Sequence, residues 1–147
     1  MNGFVITDGV INGAKKVVFY GPEGIGKSTF ASKFPDPLFI DTEGSTKELD
    51  VKRLPKPTSW QMIIQEVQWI IQTKPCKTLV IDTADWAERL CVEAVCSRHG
   101  KSGVEEFGYG NGYTYVAEEW GRFLNLLQDV IDVANINVLL TAHAVIR

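Results

Sequence analysis

Short apolar runs alternate along this chain with longer stretches in which apolar residues recur every three or four positions. The first kind predicts buried strands and the second predicts helices with one apolar face. Strands are expected at about 16–20 (Lys16, then Val17-Val18-Phe19-Tyr20), at 38–41 (Leu38-Phe39-Ile40-Asp41), at 78–82 and at 137–142. The 78–82 run, Thr78-Leu79-Val80-Ile81-Asp82, is apolar on both faces, as a central parallel strand should be. A helix is expected at 27–34, stopped by Pro35 and Pro37. Another follows a cap at Thr58 or Ser59, with Trp60, Ile63, Ile64, Val67, Ile70 and Ile71 as its stripe and Pro75 past its end. A third covers 84–97, turning Ala87, Leu90, Cys91, Ala94 and Val95 inward. A long fourth carries Val116, Trp120, Phe123, Leu124, Leu127, Val130, Ile131 and Ala134. Residues 43–57 and 99–113 read as loops, the second mobile because of its five glycines. The first fourteen residues are weakly patterned, with Phe4-Val5-Ile6 as a short edge strand before a turn at Asp8-Gly9.

Strands alternating with helices predict a three-layer α/β fold with a mainly parallel sheet. A chain of 147 residues fits one domain, and no internal repeat is present. Hydrophobic content of 45% and charged content of 22% are ordinary for a globular protein. A net charge of −3 argues against a protein that is basic all over, as many duplex-DNA binders are. Three cysteines, Cys76, Cys91 and Cys96, form no CxxC pair and are expected as reduced thiols in a cytoplasmic protein, with Cys91 and Cys96 as packing residues on one helix. No 18-residue apolar run or signal-like start occurs, so neither a membrane span nor a signal peptide is expected, and no membrane partner.

Directly after the first strand stands Gly21-Pro22-Glu23-Gly24-Ile25-Gly26-Lys27-Ser28, the pattern G-x-x-x-x-G-K-[ST]. Its glycines let backbone N–H groups surround phosphate oxygens, its lysine reaches the β- and γ-phosphates, and its serine can ligate Mg²⁺. The expected nucleotide-binding residues are Gly21, Pro22, Gly24, Ile25, Gly26, Lys27, Ser28 and Thr29. A second Gly-Lys-Ser at residues 100–102 is a decoy, with Val95 in place of the first glycine and no strand before it.

In parallel sheets ligands bind beyond the carboxyl ends of the strands. Gly21, Asp41, Asp82 and His143 all fall at those ends. Asp82 closes an apolar strand and is expected to hold Mg²⁺ with Ser28; the other reading is an N-cap for the next helix. Thr83 either caps that helix or holds the metal's water shell. Asp41 and Glu43 follow the second strand, either to orient an attacking water or as a solvated acidic turn. The 98–115 segment combines Arg98, His99 and Lys101 with Phe107, Tyr109, Tyr113 and Tyr115. It is either a connection with packing aromatics or a contact for single-stranded nucleic acid.

On these residues the chain resembles the RecA-like P-loop ATPases. The similar stretches are Phe39-Ile40-Asp41-Thr42-Glu43, Leu79-Val80-Ile81-Asp82 and Leu139-Leu140-Thr141-Ala142-His143. It looks most like short phage-encoded ATP-binding proteins of that class, some of them single-strand annealing or recombination proteins. The resemblance spans about residues 15–147. It implies Glu43 as the water-activating base and His143 as the sensor of the γ-phosphate, beside Lys27 as a catalytic cation. It also implies an additional strand beyond the phosphate-loop strand and a DNA-binding loop after the fourth strand. The sequence is therefore expected to be a single domain, 1–147, truncated at its C-terminus and lacking its last strand or strands, with the phosphate-loop strand at an edge.

The expected activity is Mg²⁺-dependent ATP binding and hydrolysis (cofactors ATP/ADP and Mg²⁺) by a cytoplasmic protein, in the bacterial host cell if phage-encoded. The process would be recombination, replication or annealing, with single-stranded DNA and further copies of the chain as partners. The alternatives are an ATP-driven assembly module with little turnover and a small-molecule kinase. The kinase would need an arginine-rich lid that the 98–115 segment does not supply. The guanine motif N-K-x-D does not occur, which favours ATP.

Overall fold

A computed structural model describes residues 3–22 and 26–143. Five strands form one parallel sheet: β1 (Lys16–Gly21), β2 (Pro37–Asp41), β3 (Lys52–Arg53), β4 (Thr78–Asp82) and β5 (Asn137–His143), in the spatial order β1-β5-β4-β2-β3. The helices are α1 (Lys27–Ala31), α2 (Trp60–Thr73), α3 (Ala84–Arg98) and α4 (Asn111–Asp132). They form the outer layers of the expected three-layer α/β P-loop fold.

Strand alternation sorts the core into two unequal halves. Leu38, Ile40, Leu79, Ile81, Val138 and Leu140 point to the side packed by α2, α3 and α4. Phe39, Val80 and Leu139 point to the other side, where Ala31 and Phe34 close a smaller cluster. There Phe30 stacks on Phe19 with ring centroids 4.5 Å apart.

The strongest patterns hold. β4 spans 78–82 and is buried throughout. In α2, Ser59 caps the first turn by accepting the Met62 N–H, and Trp60, Ile63, Val67 and Ile70 are buried. The three cysteines are free and buried. Burial pushes the Cys91 thiol up to about 12 and that of Cys76 to about 11, as inert packing groups require.

Five expectations need correction. The first helix is five residues long, not eight, because Lys33 and Phe34 bond back only three residues, to Phe30 and Ala31, and tighten the end. Phe4-Val5-Ile6 is not a strand; among the described residues nothing pairs with it, and all three side chains are exposed. The 43–57 loop contains β3, which pairs with Leu38 and Phe39. The 99–113 segment is not a featureless loop. It holds two 3₁₀ turns, Val104–Glu106 and Gly108–Gly110, and α4 then begins at Asn111. Gly112 permits that packing, since a Cβ there would lie 2.5 Å from the Val104 carbonyl oxygen. In α4, Leu124 is 38% exposed while Glu119 lies buried.

β1 pairs with β5 alone among the described residues, as expected for an edge strand. Val18 and Tyr20 on it are 59% and 64% exposed.

Candidate nucleotide site

The parallel registers bring the motif residues together. Gly21 lies opposite His143, Asp82 opposite Thr141, and Asp41 opposite Asp82. Because β5 separates β1 from β4, the phosphate loop and Asp82 face one another across one strand's width.

Beyond these strand ends lies a cleft of about 380 Å³, lined by Gly26, Lys27, Ser28, Thr29, Glu43, Ser45, Asp82, Thr83 and His143. Eight of these nine, all but Ser45, are residues singled out in the sequence. Gly26 caps α1 in the left-handed region with φ 84°, a conformation that disfavours any side chain. Lys27 is buried, and its Nζ donates to the carbonyls of Gly21 and Pro22, each at 2.9 Å. Those two residues thus hold the lysine rather than line the cleft. Gly24 and Ile25 lie outside the described residues.

Ser28 Oγ donates to Asp82 Oδ2, and Thr141 Oγ1 donates to Asp82 Oδ1 at 2.7 Å. Asp82 is buried and so reaches the cleft with both oxygens fixed. Among the described residues no group of three or more His, Cys, Asp or Glu is placed to hold a metal. Ser28 and Asp82 instead form a two-oxygen set, which fits Mg²⁺, an ion that keeps several of its waters.

The structure separates the two carboxylates that follow β2. Asp41 turns inward. Its Oδ1 accepts the N–H groups of Glu43, Gly44 and Ser45 at 3.2, 2.7 and 3.2 Å, and its Oδ2 accepts the N–H of Thr46 at 2.9 Å and that residue's hydroxyl. Burial alone would raise its pKa, but the Thr46 hydroxyl and these N–H groups outweigh it and hold the carboxyl below its ordinary value. Asp41 therefore builds the turn. Glu43, carried on that turn, lines the cleft; its Oε1 accepts from His143 Nε2 at 2.8 Å and from Thr83 Oγ1 at 3.0 Å. The backbone N–H of His143 donates to Asp85 at 2.7 Å, tying the end of β5 to α3.

Thr42 was not singled out in the sequence. Its hydroxyl accepts the Thr83 N–H at 2.7 Å and donates to the Thr83 carbonyl at 2.9 Å. Its place between Asp41 and Glu43 was the available signal. Thr83 occupies the N-cap position of α3 and its carbonyl accepts the Ala87 N–H at 3.2 Å, but its side chain makes no cap bond to the helix.

The 98–115 segment stays out of the cleft. Tyr115 stacks on His99 at 4.6 Å and Phe107 meets both rings, at 5.3 and 5.6 Å. Arg98 pairs with Glu119 at 3.3 Å. These contacts favour the packing reading, with Tyr113 left 60% exposed.

Among the described residues no helix is long and apolar enough to cross a membrane. No curated protein matches the chain significantly. A family model described as an AAA domain matches residues 14–147, a span that includes the phosphate loop and every strand of the sheet. The chain belongs to this AAA-domain family of P-loop ATPases.

Proposed function

We propose that this protein binds MgATP in the cleft between Gly26–Thr29 and the ends of β2, β4 and β5, and hydrolyses its β–γ phosphoanhydride bond. The observation that carries the reading is the convergence of a phosphate-loop lysine, a serine–aspartate oxygen pair and a cleft-facing glutamate in one 380 Å³ space. Gly21 and Pro22 present the lysine through their carbonyls, and the motif assigns Gly24 and Ile25 to the nucleotide as well. Lys27 exchanges those carbonyls for β- and γ-phosphate oxygens. Ser28 and Asp82 hold the Mg²⁺, which when bound neutralises developing phosphate charge. Glu43 accepts a proton from the attacking water, and His143, bonded to the same carboxylate, responds to the γ-phosphate.

The same reading assigns the protein to the RecA-like phage ATPases that act on single-stranded DNA in recombination, replication or annealing. Further copies of the chain are proposed as partners; among the described residues β1 pairs with β5 alone and leaves Val18 and Tyr20 exposed. The second reading is a module that uses ATP to assemble on single-stranded DNA with little turnover.

The test measures nucleotide affinity and phosphate release with and without single-stranded DNA. Lys27→Ala should abolish nucleotide binding, and unchanged ATP affinity would sink the assignment. Turnover stimulated by DNA supports the ATPase. ATP binding without turnover under either condition supports the assembly module.

A further inference from the structure

Two threonines join the strand ends that carry the candidate metal ligand and the candidate base. The ladder between β2 and β4 continues one step past its last register pair, as the Thr42 N–H donates to the Asp82 carbonyl at 2.9 Å. The Thr42 hydroxyl then serves both backbone groups of Thr83, accepting its N–H at 2.7 Å and donating to its carbonyl at 2.9 Å. One hydroxyl has one proton and two lone pairs, so this pattern uses its only proton. Thr42 and Thr83 are 4% and 2% exposed, so water does not compete for these bonds. With its backbone fixed, Thr83 has its own hydroxyl free to donate, and it donates to Glu43 Oε1 at 3.0 Å.

We infer that Thr83, locked by Thr42, is a positioning residue that sets the orientation of the Glu43 carboxylate in the cleft. The inference rests on the reading of Glu43 as the water-activating base. A carboxylate on a surface turn samples several rotamers, and a base displaced by about 1 Å loses much of its effect. The Thr83 hydroxyl reduces that freedom from the β4 side, while the His143 ring approaches the same oxygen from β5. The span from Asp82 to Glu43 is thereby one hydrogen-bonded unit, in which the metal ligand and the base keep a fixed relation.

Thr83→Val keeps the branched shape and removes the hydroxyl, and Thr83→Ser keeps the hydroxyl. Phosphate release should give a kcat for Thr83→Val lower by roughly ten- to a hundredfold. Its affinity for a fluorescent ATP analogue should be unchanged, and Thr83→Ser should return kcat to within about threefold of the wild type. Thermal melting checks that each variant is folded; if valine is not tolerated, Thr83→Ala removes the same hydroxyl and is read instead. A folded Thr83→Val or Thr83→Ala at the wild-type kcat, or a Thr83→Ser equally impaired, overturns the inference. Glu43→Gln is run beside them. If Glu43→Gln is inactive and Thr83→Val fully active, the positioning role alone falls. If Glu43→Gln hydrolyses ATP at the wild-type rate, or the wild type shows no turnover with or without single-stranded DNA, the base assignment falls and the positioning role with it.

Discussion

Glu43 Oε1 and His143 Nε2 stand 2.8 Å apart, linking the turn after β2 to the end of β5 across one hundred residues of sequence. A carboxylate oxygen accepts and a ring N–H donates, so the Nε2 position carries the proton in this contact. The side chains are about one-fifth exposed, 22% for His143 and 18% for Glu43, so a ligand in the cleft can reach both. On the proposed mechanism His143→Ala should lower turnover about tenfold or more, since it removes the Nε2–H donor to Glu43, the proposed base. His143→Gln keeps an N–H donor and should retain most of the activity. Steady-state phosphate release separates these outcomes, and an alanine variant at the wild-type rate would remove His143 from the mechanism.

Asp41 gives a prediction about structure rather than chemistry. Its carboxylate gathers five donors, and its pKa lies below the ordinary 3.8 because those bonds outweigh burial. Asp41→Asn replaces one acceptor oxygen by a donor amide and should cost about 1–3 kcal/mol of stability at pH 7. The folded-state pKa is depressed, so this contribution is fully present above pH 3.8 and is lost as the pH falls through the folded pKa. Urea denaturation of the wild type and Asp41→Asn should show a gap at pH 7 that narrows in strong acid. A gap unchanged with pH would mean that the charge on Asp41 contributes nothing.

The difference between Asp41 and Glu43 marks how far the sequence can be read. Motif residues at strand ends were legible because a parallel sheet places all such ends on one edge, whatever the loops do. Gly26, Lys27, Ser28, Thr29, Glu43, Asp82 and His143 meet for that reason. Which of two neighbouring carboxylates faces the cleft depends on a turn held by five hydrogen bonds, and no periodicity encodes that. The Thr42–Thr83 bonds were hidden similarly, since both residues lie beyond the strands. β3 escaped notice because two charged residues, Lys52 and Arg53, have no strand pattern. Phe4-Val5-Ile6 misled in the opposite sense, having a strand's composition without a partner.

Glu119 was missed although the sequence held a clue. It sits at helical spacing from Val116 and Phe123, within the apolar stripe of α4. It is only 8% exposed, and its Oε2 accepts the Trp60 indole N–H at 2.9 Å. Arg122 and Arg98 reach its Oε1 at 2.9 and 3.3 Å. The Trp60 bond, outweighing burial with help from the arginines, holds the Glu119 carboxyl below its ordinary value. Glu119→Ala leaves the buried indole N–H without its acceptor and should destabilise the protein by about 2 kcal/mol. Trp60→Phe should cost less, because the arginines continue to serve the carboxylate. Chemical denaturation of the two variants tests the order, and a costlier Trp60→Phe would put the energy in ring packing instead.

Glu66 has the opposite electrostatics. Both its carboxylate oxygens are buried without a hydrogen-bond partner among the described residues, and burial pushes its pKa from 4.5 up to about 7. Between those values the folded chain binds a proton that the unfolded chain does not, so the Glu66 contribution to stability falls as the pH rises from 4.5 to about 7 and is flat above it. Glu66→Gln keeps the shape and removes the ionisation. Above pH 7 the variant should be more stable than the wild type by on the order of 1 kcal/mol, discounted for partial solvent screening. The advantage should shrink as the pH is lowered toward 4.5, where the wild-type carboxyl is protonated in the folded state. Taking the difference between the two urea midpoints at each pH cancels the titration of every other group. A constant difference from pH 5 to pH 8 would show that Glu66 does not titrate in this range.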